Sequence, residues 1–261
     1  MRAVGLHPDV VVVTSRVWQT TCTLVRSGEE AFCIDSPLLP DELELLPAVA
    51  QQARFTIVGM LATHADFDHV LGRYSFPEAS LGCAASTADA LQRRPGEAQR
   101  ELRRFDDDFY VQRPSPLGLS APQALPVPGR CGLGESELEL YAAEGHTGDG
   151  MAVWIPWASV LVCGDYLSPV EIPVIGAGGS TGAYLETLAR LEPLVAASDW
   201  VVPGHGEPLD AQRATAILRE DRAYVEALRD RGSDAPLPLA RRTATQRRIH
   251  AENAARDATS P

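Results

Sequence analysis

A dense polar cluster directly after an apolar run is the feature that most constrains this chain. Residues 56–62 read Thr-Ile-Val-Gly-Met-Leu-Ala, as is typical of a buried strand, and two imidazoles and two carboxylates follow at once: His64, Asp66, Asp68 and His69. Histidine and aspartate are seldom fully buried without partners, so such a group at a strand end indicates a metal-binding cluster. The competing interpretation is a polar loop with a helix cap at Asp66 or Asp68.

Three more polar side chains follow predicted strands in the second half of the chain, each of them among glycines: His146, Asp165 and His205. Glycine lets a loop turn sharply and approach a site closely. Taken singly, each of the three residues is explained by a turn. Together with His64 and His69, however, four of the six histidines lie in such strand-end loops, and this pattern predicts one site built from several loops.

Hydrophobic periodicity predicts two halves, each made of strands and then helices. Predicted strands cover residues 10–14, 21–26, 31–35, 56–62, 137–142, 151–156, 159–163 and 200–202. Predicted helices cover residues 41–55, 86–94, 97–110, 180–191, 211–231 and 241–256, with Ser180 or Thr181 as the cap of the fourth. Five prolines exclude a regular helix from residues 113–132.

Composition narrows the class of protein. The 261 residues are 45% hydrophobic and 22% charged, which suits one globular domain with a small appendage. The net charge of -12 offers no basic surface, so neither nucleic acid nor an anionic membrane is an expected partner. Five scattered cysteines argue against a disulfide framework or a cysteine zinc site. The first residues lack the pattern of a signal peptide, which favours a cytoplasmic protein.

The motifs resemble those of the metallo-β-lactamase superfamily. They are His64-x-Asp66-x-Asp68-His69, then Gly-His146-Thr, Gly-Asp165 and Gly-His205-Gly, in that order along the chain. The resemblance implies an α/β fold, a four-layer αββα sandwich, for a catalytic domain over residues 1–209. Residues 210–261 would be a short helical C-terminal extension that packs on the domain or on a partner subunit.

The resemblance also implies a site for two divalent metal ions, with zinc expected. His64, Asp66 and His146 would bind the first ion, and Asp68, His69 and His205 the second. Asp165 would bridge the two ions, and Asp68 and Asp165 would be the catalytic carboxylates. A metal-bound hydroxide would then attack the ester, lactone or thioester carbonyl of a small-molecule substrate, as in a lactonase or a glyoxalase II-like thioesterase.

Position 66 departs from the usual pattern of the superfamily, which has a histidine there. A carboxylate adds one negative charge, and oxygen ligands favour harder ions, so iron or manganese gains on zinc. Flavodiiron proteins of the superfamily resemble this chain in having a carboxylate at this position, although theirs is glutamate. Because aspartate is short, three outcomes stay open: Asp66 as a direct ligand, a shifted metal preference, or Asp66 beside the ligands of a partly filled site.

Two other functions remain open at this point. His64, His146 and Asp165 can form the two-histidine, one-carboxylate face of an iron oxidoreductase that resembles persulfide dioxygenases. The chain can also be a metal-binding module without catalytic activity. Substrate recognition is expected from residues 105–132 and 166–181. Tyr166 either donates a hydrogen bond to a substrate carbonyl or packs beside its strand, and the C-terminal extension could support a homodimer.

Overall fold

The strands of the first half send alternate side chains into two different cores. In β3 (Thr21–Ser27), Cys22 and Leu24 pack against helices, whereas Val25 faces the second sheet. In β5 (Thr56–Ala62), Met60 and Leu61 divide in the same way. This is the two-residue period of a strand that is covered on both faces, and it requires a layer of helices on one side and a sheet on the other.

The computed structural model describes residues 1–119 and 121–257, and its strands form two sheets. The first sheet has the order β1-β2-β3-β4-β5-β6-β7, in which the further strands are β1 (Arg2–His7), β2 (Val10–Thr14), β4 (Glu30–Asp35), β6 (Ser80–Ala84) and β7 (Gln123–Leu125). The second sheet has the order β13-β12-β11-β10-β9-β8, with β8 (Gly129–Leu133), β9 (Ser136–Ala142), β10 (Met151–Ile155), β11 (Val160–Val162), β12 (Trp200–Val202) and β13 (Leu209–Asp210).

Helices cover the outer face of each sheet. Over the described residues they are α1 (Pro40–Gln52), α2 (Ala85–Arg93), α3 (Glu97–Phe109), α4 (Thr181–Ala197), α5 (Ala211–Arg231) and α6 (Ala244–Asp257). Residues of α1, α2 and α3 share a core with the first sheet, and residues of α4 and α5 share one with the second. A third core lies between the sheets, so the predicted αββα sandwich is confirmed.

The structure adds five strands that the sequence pattern did not predict: β1, β6, β7, β8 and β13. The strands β5, β6 and β7 are parallel neighbours, and β6 and β7 have only five and three residues. Such short segments carry too few residues for a two-residue period to be visible, and distant partners decide their conformation. Helix α4 also continues beyond the predicted end at residue 191, through Pro193, because Val195 still packs into the core.

The C-terminal residues continue the outer layer of the second half. Helix α5 packs beside α4, and α6 contributes Ile249 and Ala254 to the rim of the same core. The Ser180 hydroxyl accepts a hydrogen bond from the Ala183 amide at 3.2 Å, which confirms the predicted cap of α4. The division into a domain and an extension at residue 209 stays a prediction. In the described ranges no helix combines the length and apolarity needed to cross a bilayer.

Candidate metal centre

The motif at residues 63–69 begins where β5 ends. The backbone bends over residues 63–66, is extended at Asp66 and then enters a short 3-10 turn over Phe67–His69. This turn brings Asp68 and His69 to the same side as His64, and all three side chains are buried. Asp66 keeps 41% of its side chain exposed and forms the outer edge of the cluster.

The second sheet supplies the remaining residues from three of its loops. His146 follows β9, Asp165 follows β11, and His205 follows β12, so all three lie at one edge of the sandwich. Glycine is needed where these loops meet, because a Cβ on Gly204 would collide with the Asp165 carboxylate. The strand-end glycines noted in the sequence therefore allow close packing of neighbouring loops.

Asp165 is the centre of the cluster. Its Oδ2 atom lies 3.3 Å from His146 Nε2, 3.4 Å from His205 Nε2 and 3.8 Å from His64 Nε2. Its Oδ1 atom lies 3.2 Å from His69 Nε2. One carboxylate thus contacts all four imidazoles of the site, as a bridge between two ions would require.

Two groups of side chains lie on either side of Asp165. In the first, Asp66 Oδ2 is 3.7 Å from His64 Nε2 and 3.4 Å from His146 Nε2. In the second, Asp68 Oδ2 is 3.7 Å from His69 Nε2 and 3.4 Å from His205 Nε2. The donor atoms of each group lie within 4.8 Å of one another. The structure therefore brings together all seven residues in the sets that the sequence predicts, although their binding of metal stays a prediction.

Unpaired buried nitrogens show that this donor set suits a cation. The Nε2 atoms of His64, His69 and His146 and the Oδ1 atom of Asp165 are buried without a hydrogen-bond partner among the described residues. Leaving such groups unpaired is costly, and coordination of a divalent ion would satisfy them together.

Contacts behind the rings orient the histidines. The Nδ1–H of His146 donates to the Val174 carbonyl at 2.9 Å, and that of His205 donates to the Trp18 carbonyl at 3.0 Å. Since a carbonyl only accepts, the proton of each neutral ring is held at Nδ1, which leaves the Nε2 lone pair directed at the cluster.

Asp35 is a residue of the site that the sequence analysis missed. Its Oδ2 atom lies 3.0 Å from His69 Nδ1, and its carboxylate accepts hydrogen bonds from the backbone and hydroxyl of Thr63 at 2.8 and 2.9 Å. It adopts a left-handed backbone with φ 58°, which is uncommon outside glycine. The available signal was its place at the end of a predicted strand, like the other acids of the site.

Protonation in the metal-free site follows from this crowding. Burial alone would lower the pKa of His146 and His205, but Asp165 and the neighbouring acids raise these values to about 9 and about 10. Burial alone would raise the pKa of Asp165, yet the surrounding histidines hold it well below its usual range. The protons on the imidazoles thus occupy the place that cations would take.

Tyr166 is packed behind His146. Its side chain is buried, and its hydroxyl donates to the Glu144 carbonyl at 2.8 Å and accepts from the His146 amide at 3.0 Å. Of the two interpretations, the structure favours packing beside the strand. The hydroxyl thus has internal partners both as donor and as acceptor, and its contact with a substrate carbonyl stays a prediction.

A cavity of about 460 Å³ opens beside the cluster. Asp66, Asp68, His146, Asp165 and His205 form its floor. Its walls come from the loop before β3, from the turn at Phe67, from α3, from the segment after Asp165 and from α6. The residues of these walls are Trp18, Phe67, Glu101, Arg104, Phe105, Asp108, Phe109, Glu171, Val174, Thr245, Arg248 and Ile249. Both segments expected to recognise substrate therefore contribute to it.

Comparison with known proteins agrees with this geometry. Residues 15–205 match the family model of the metallo-beta-lactamase superfamily. No curated protein matches the chain at a significant level. Solved structures share the fold at low sequence identity, which carries no assignment of activity.

Three of these structures are representative. DIM-1 metallo-beta-lactamase is 18% identical with a TM-score of 0.62, covering 86% of this chain and 96% of its own. A metallo-beta-lactamase from Pontibacter korlensis is 18% identical with a TM-score of 0.61, covering 84% and 98%. A double mutant of the sec-alkyl sulfatase PisA1 is 15% identical with a TM-score of 0.72, covering 88% of this chain and 42% of its own.

Proposed function

Because the chain belongs to the metallo-β-lactamase superfamily, we propose that it is a metal-dependent hydrolase acting on the ester, lactone or thioester carbonyl of a small molecule. The single observation that supports this proposal is the seven-residue donor cluster, buried at one edge of the sandwich and open to a cavity. Two bound divalent ions, with zinc as the proposed metal, would supply Lewis acidity and a water of lowered pKa.

The residues of the chain have separate roles in this proposal. His64, Asp66 and His146 hold one ion, and Asp68, His69 and His205 hold the other. Asp165 lies within reach of both groups and would serve as a ligand to both ions, since its carboxylate faces imidazoles of each group. The cavity admits a small substrate to the exposed side of Asp66. Lactonase or thioesterase activity is proposed ahead of β-lactamase activity.

Asp165→Ala tests the hydrolase proposal. Removing the central carboxylate should abolish bound metal and lower hydrolysis at least about 100-fold, since one of the ligands shared by both ions is lost. Metal content is measured by mass spectrometry, and turnover with an aryl ester, a γ-lactone and a thioester.

Asp107→Ala is the matched control, because Asp107 is an exposed carboxylate on α3 outside the cavity lining. This variant should keep the metal and the activity of the original chain. If Asp165→Ala retained turnover, the proposal would be wrong.

Iron-dependent oxidation is the second candidate, and the place of Asp66 is the observation that favours it. Asp66 forms a two-histidine, one-carboxylate face with His64 and His146, in addition to the one that the sequence predicts with Asp165, and this arrangement is typical of non-haem iron. Counting charges, three carboxylates against two dications leave a net +1, where the usual histidine at position 66 would leave +2. The smaller net positive charge lowers the Lewis acidity of the bound ions, and the additional oxygen ligand favours iron or manganese over zinc.

Metal competition and oxygen uptake separate the two candidates. Asp66→His should shift the zinc-to-iron occupancy toward zinc by about tenfold when both ions are offered, as expected for a change of direct ligand. The original chain loaded with iron(II) should consume no oxygen when given a persulfide. Sustained oxygen uptake would instead establish oxidation and displace hydrolysis.

A further inference from the structure

Four aromatic rings form a continuous surface on one side of the cavity. Trp18 packs edge-on against Phe67, Phe105 and Phe109, with ring centroids 5.8, 5.0 and 6.2 Å apart. Phe105 stacks on Phe109 at 4.6 Å, and all four residues line the cavity. We call these four residues the aromatic wall.

The wall exposes apolar area where a folded chain would normally hide it. Phe67 and Phe105 are buried, but Trp18 and Phe109 are 40% and 46% exposed, and their rings adjoin each other. Single exposed apolar residues are common, whereas contiguous exposed aromatic surface beside a polar cavity marks a binding site. The exposed part of the wall therefore indicates a ligand that covers it.

Backbone contacts hold this wall at a fixed distance from the metal cluster. The Trp18 carbonyl accepts the hydrogen bond from His205 Nδ1, and the Gln19 carbonyl accepts one from the Gly206 amide at 2.9 Å. Phe67 lies between the two aspartates of the first motif. A group attached to a carbonyl at the cluster would consequently meet the wall next.

The backbone at this point is also strained. Trp18 and Gln19 both adopt left-handed conformations, with φ 55° and 52°. Residues other than glycine avoid this region, and such strain tends to be kept at functional sites. The conformation directs the indole over the cavity rather than into the core.

Charge in the rest of the cavity favours no ionic substrate. Its walls carry two arginines and three acids outside the cluster, namely Arg104, Arg248, Glu101, Asp108 and Glu171. The two arginines offset two of the three acids, so these walls carry at most one excess negative charge and no strong preference for a charged group. The aromatic wall is the part of the cavity with a clear chemical preference.

We propose that the aromatic wall binds the apolar acyl chain of the substrate, so that the protein prefers carbonyl compounds with several methylene groups or a ring next to the carbonyl over acetyl-like ones. This inference rests on the proposed hydrolytic function and specifies its substrate class. Trp18 and Phe109 are the specificity-determining residues, because they carry the exposed surface that the acyl chain covers.

A series of aryl esters tests this preference. The leaving group stays the same while the acyl part is lengthened from acetyl to butanoyl, hexanoyl and octanoyl. Each methylene that leaves water against the wall should raise kcat/KM about fourfold until the wall is covered. Phe109→Ala and Trp18→Ala should each lower the ratio of the octanoyl rate to the acetyl rate about tenfold.

Tyr110→Ala is the matched control, because Tyr110 adjoins Phe109 but is 94% exposed and outside the cavity lining. This variant should keep the dependence on acyl length. If Trp18→Ala fails to fold, the effect on acyl-length dependence is measured with Phe109→Ala alone, since Phe109 lies at the exposed end of α3. Metal content is measured for every variant, so that a disturbed His205 is recognised.

Binding of alkyl hydroxamates separates this inference from the proposed function. These compounds chelate metal ions and are used with the metal-loaded protein, with acetyl and octanoyl hydroxamate compared by calorimetry. Tighter binding of the longer compound, lost in Phe109→Ala, supports the wall even if no ester is hydrolysed. Equal affinity for both compounds, no binding of either, or hydrolysis that ignores acyl length would overturn it.

Discussion

Among single residues, Asp165 has the largest influence on the electrostatics of the site. One carboxylate faces four imidazoles, and its charge contributes most to keeping His146 and His205 protonated without metal. Metal binding requires neutral imidazoles, so ions and protons compete for the same atoms. Protons therefore stabilise the site at low pH, and bound cations would take their place at higher pH.

This competition predicts how the stability of the metal-free protein depends on pH. His146 and His205 have pKa values of about 9 and about 10 in the folded chain, above the ordinary histidine value of about 6.5 in the unfolded chain. The folded state therefore binds more protons, and the contribution to stability is complete below about 6.5. It is lost as the pH rises through about 9 to 10.

Denaturant unfolding in the presence of a chelator measures this effect. The free energy of unfolding should decrease as the pH rises from about 6.5 to 10, and added zinc should restore it most strongly at the upper end. Asp165→Asn removes the carboxylate charge and should flatten the decrease. A metal-free protein that gains stability over this range would contradict the assignment.

Among the elements, α6 supports the candidate site although it lies far from the donor residues along the chain. Gln246 and Asn253 accept hydrogen bonds from the amides of Ile172 and Ile175, each at 2.8 Å. Asn253 also donates to the Pro173 carbonyl at 2.7 Å. The same segment contains Val174, whose carbonyl orients His146, so α6 fixes the backbone that positions a candidate metal ligand.

Asn253→Leu should weaken both the fold and the metal site. The variant leaves buried backbone groups of residues 173 and 175 unpaired, which should lower the free energy of unfolding by about 2 kcal/mol or more. Loss of this support for His146 should also weaken zinc binding about tenfold. Denaturant unfolding of the zinc-loaded protein and competition with a chelator measure the two effects.

Arg247→Ala is the control on the same helix, since Arg247 is exposed and lies outside the cavity lining. It should leave stability and zinc affinity within experimental error. An Asn253→Leu protein with normal zinc affinity would show that α6 is only a covering helix.

Across the whole molecule, the site joins the two halves of the sandwich. The first sheet provides His64, Asp66, Asp68 and His69, and loops of the second provide the other three donors. The isolated bridge between Thr20 and His205 ties the hairpin of one sheet to a loop of the other beside the cluster. Ions bound between these loops would hold the two halves together as well as supply chemistry.

The local sequence pattern predicts most of the longer helices and strands. Strands β2, β3, β4 and β5 and helices α2, α3 and α5 lie within a few residues of their predictions, because their periodicity extends over enough positions to be visible. The short strands β6 and β7 were missed, since pairing with distant neighbours decides them. The seven donor residues were identifiable because acids and histidines at strand ends are unusual without a cation.

The sequence by itself determined the donor residues, their order and the division into two halves of strands and helices, because these depend on residue chemistry and short periods along the chain. The layered architecture was implied by the resemblance of the motifs to those of the superfamily. Only the tertiary structure decided that Tyr166 is occupied internally, that Asp35 supports His69, and that Trp18 lies beside the cavity. Each of these depends on contacts between distant segments, as between Trp18 and His205, 187 positions apart. Such contacts arise from the packing of two sheets against each other, and no local pattern encodes them.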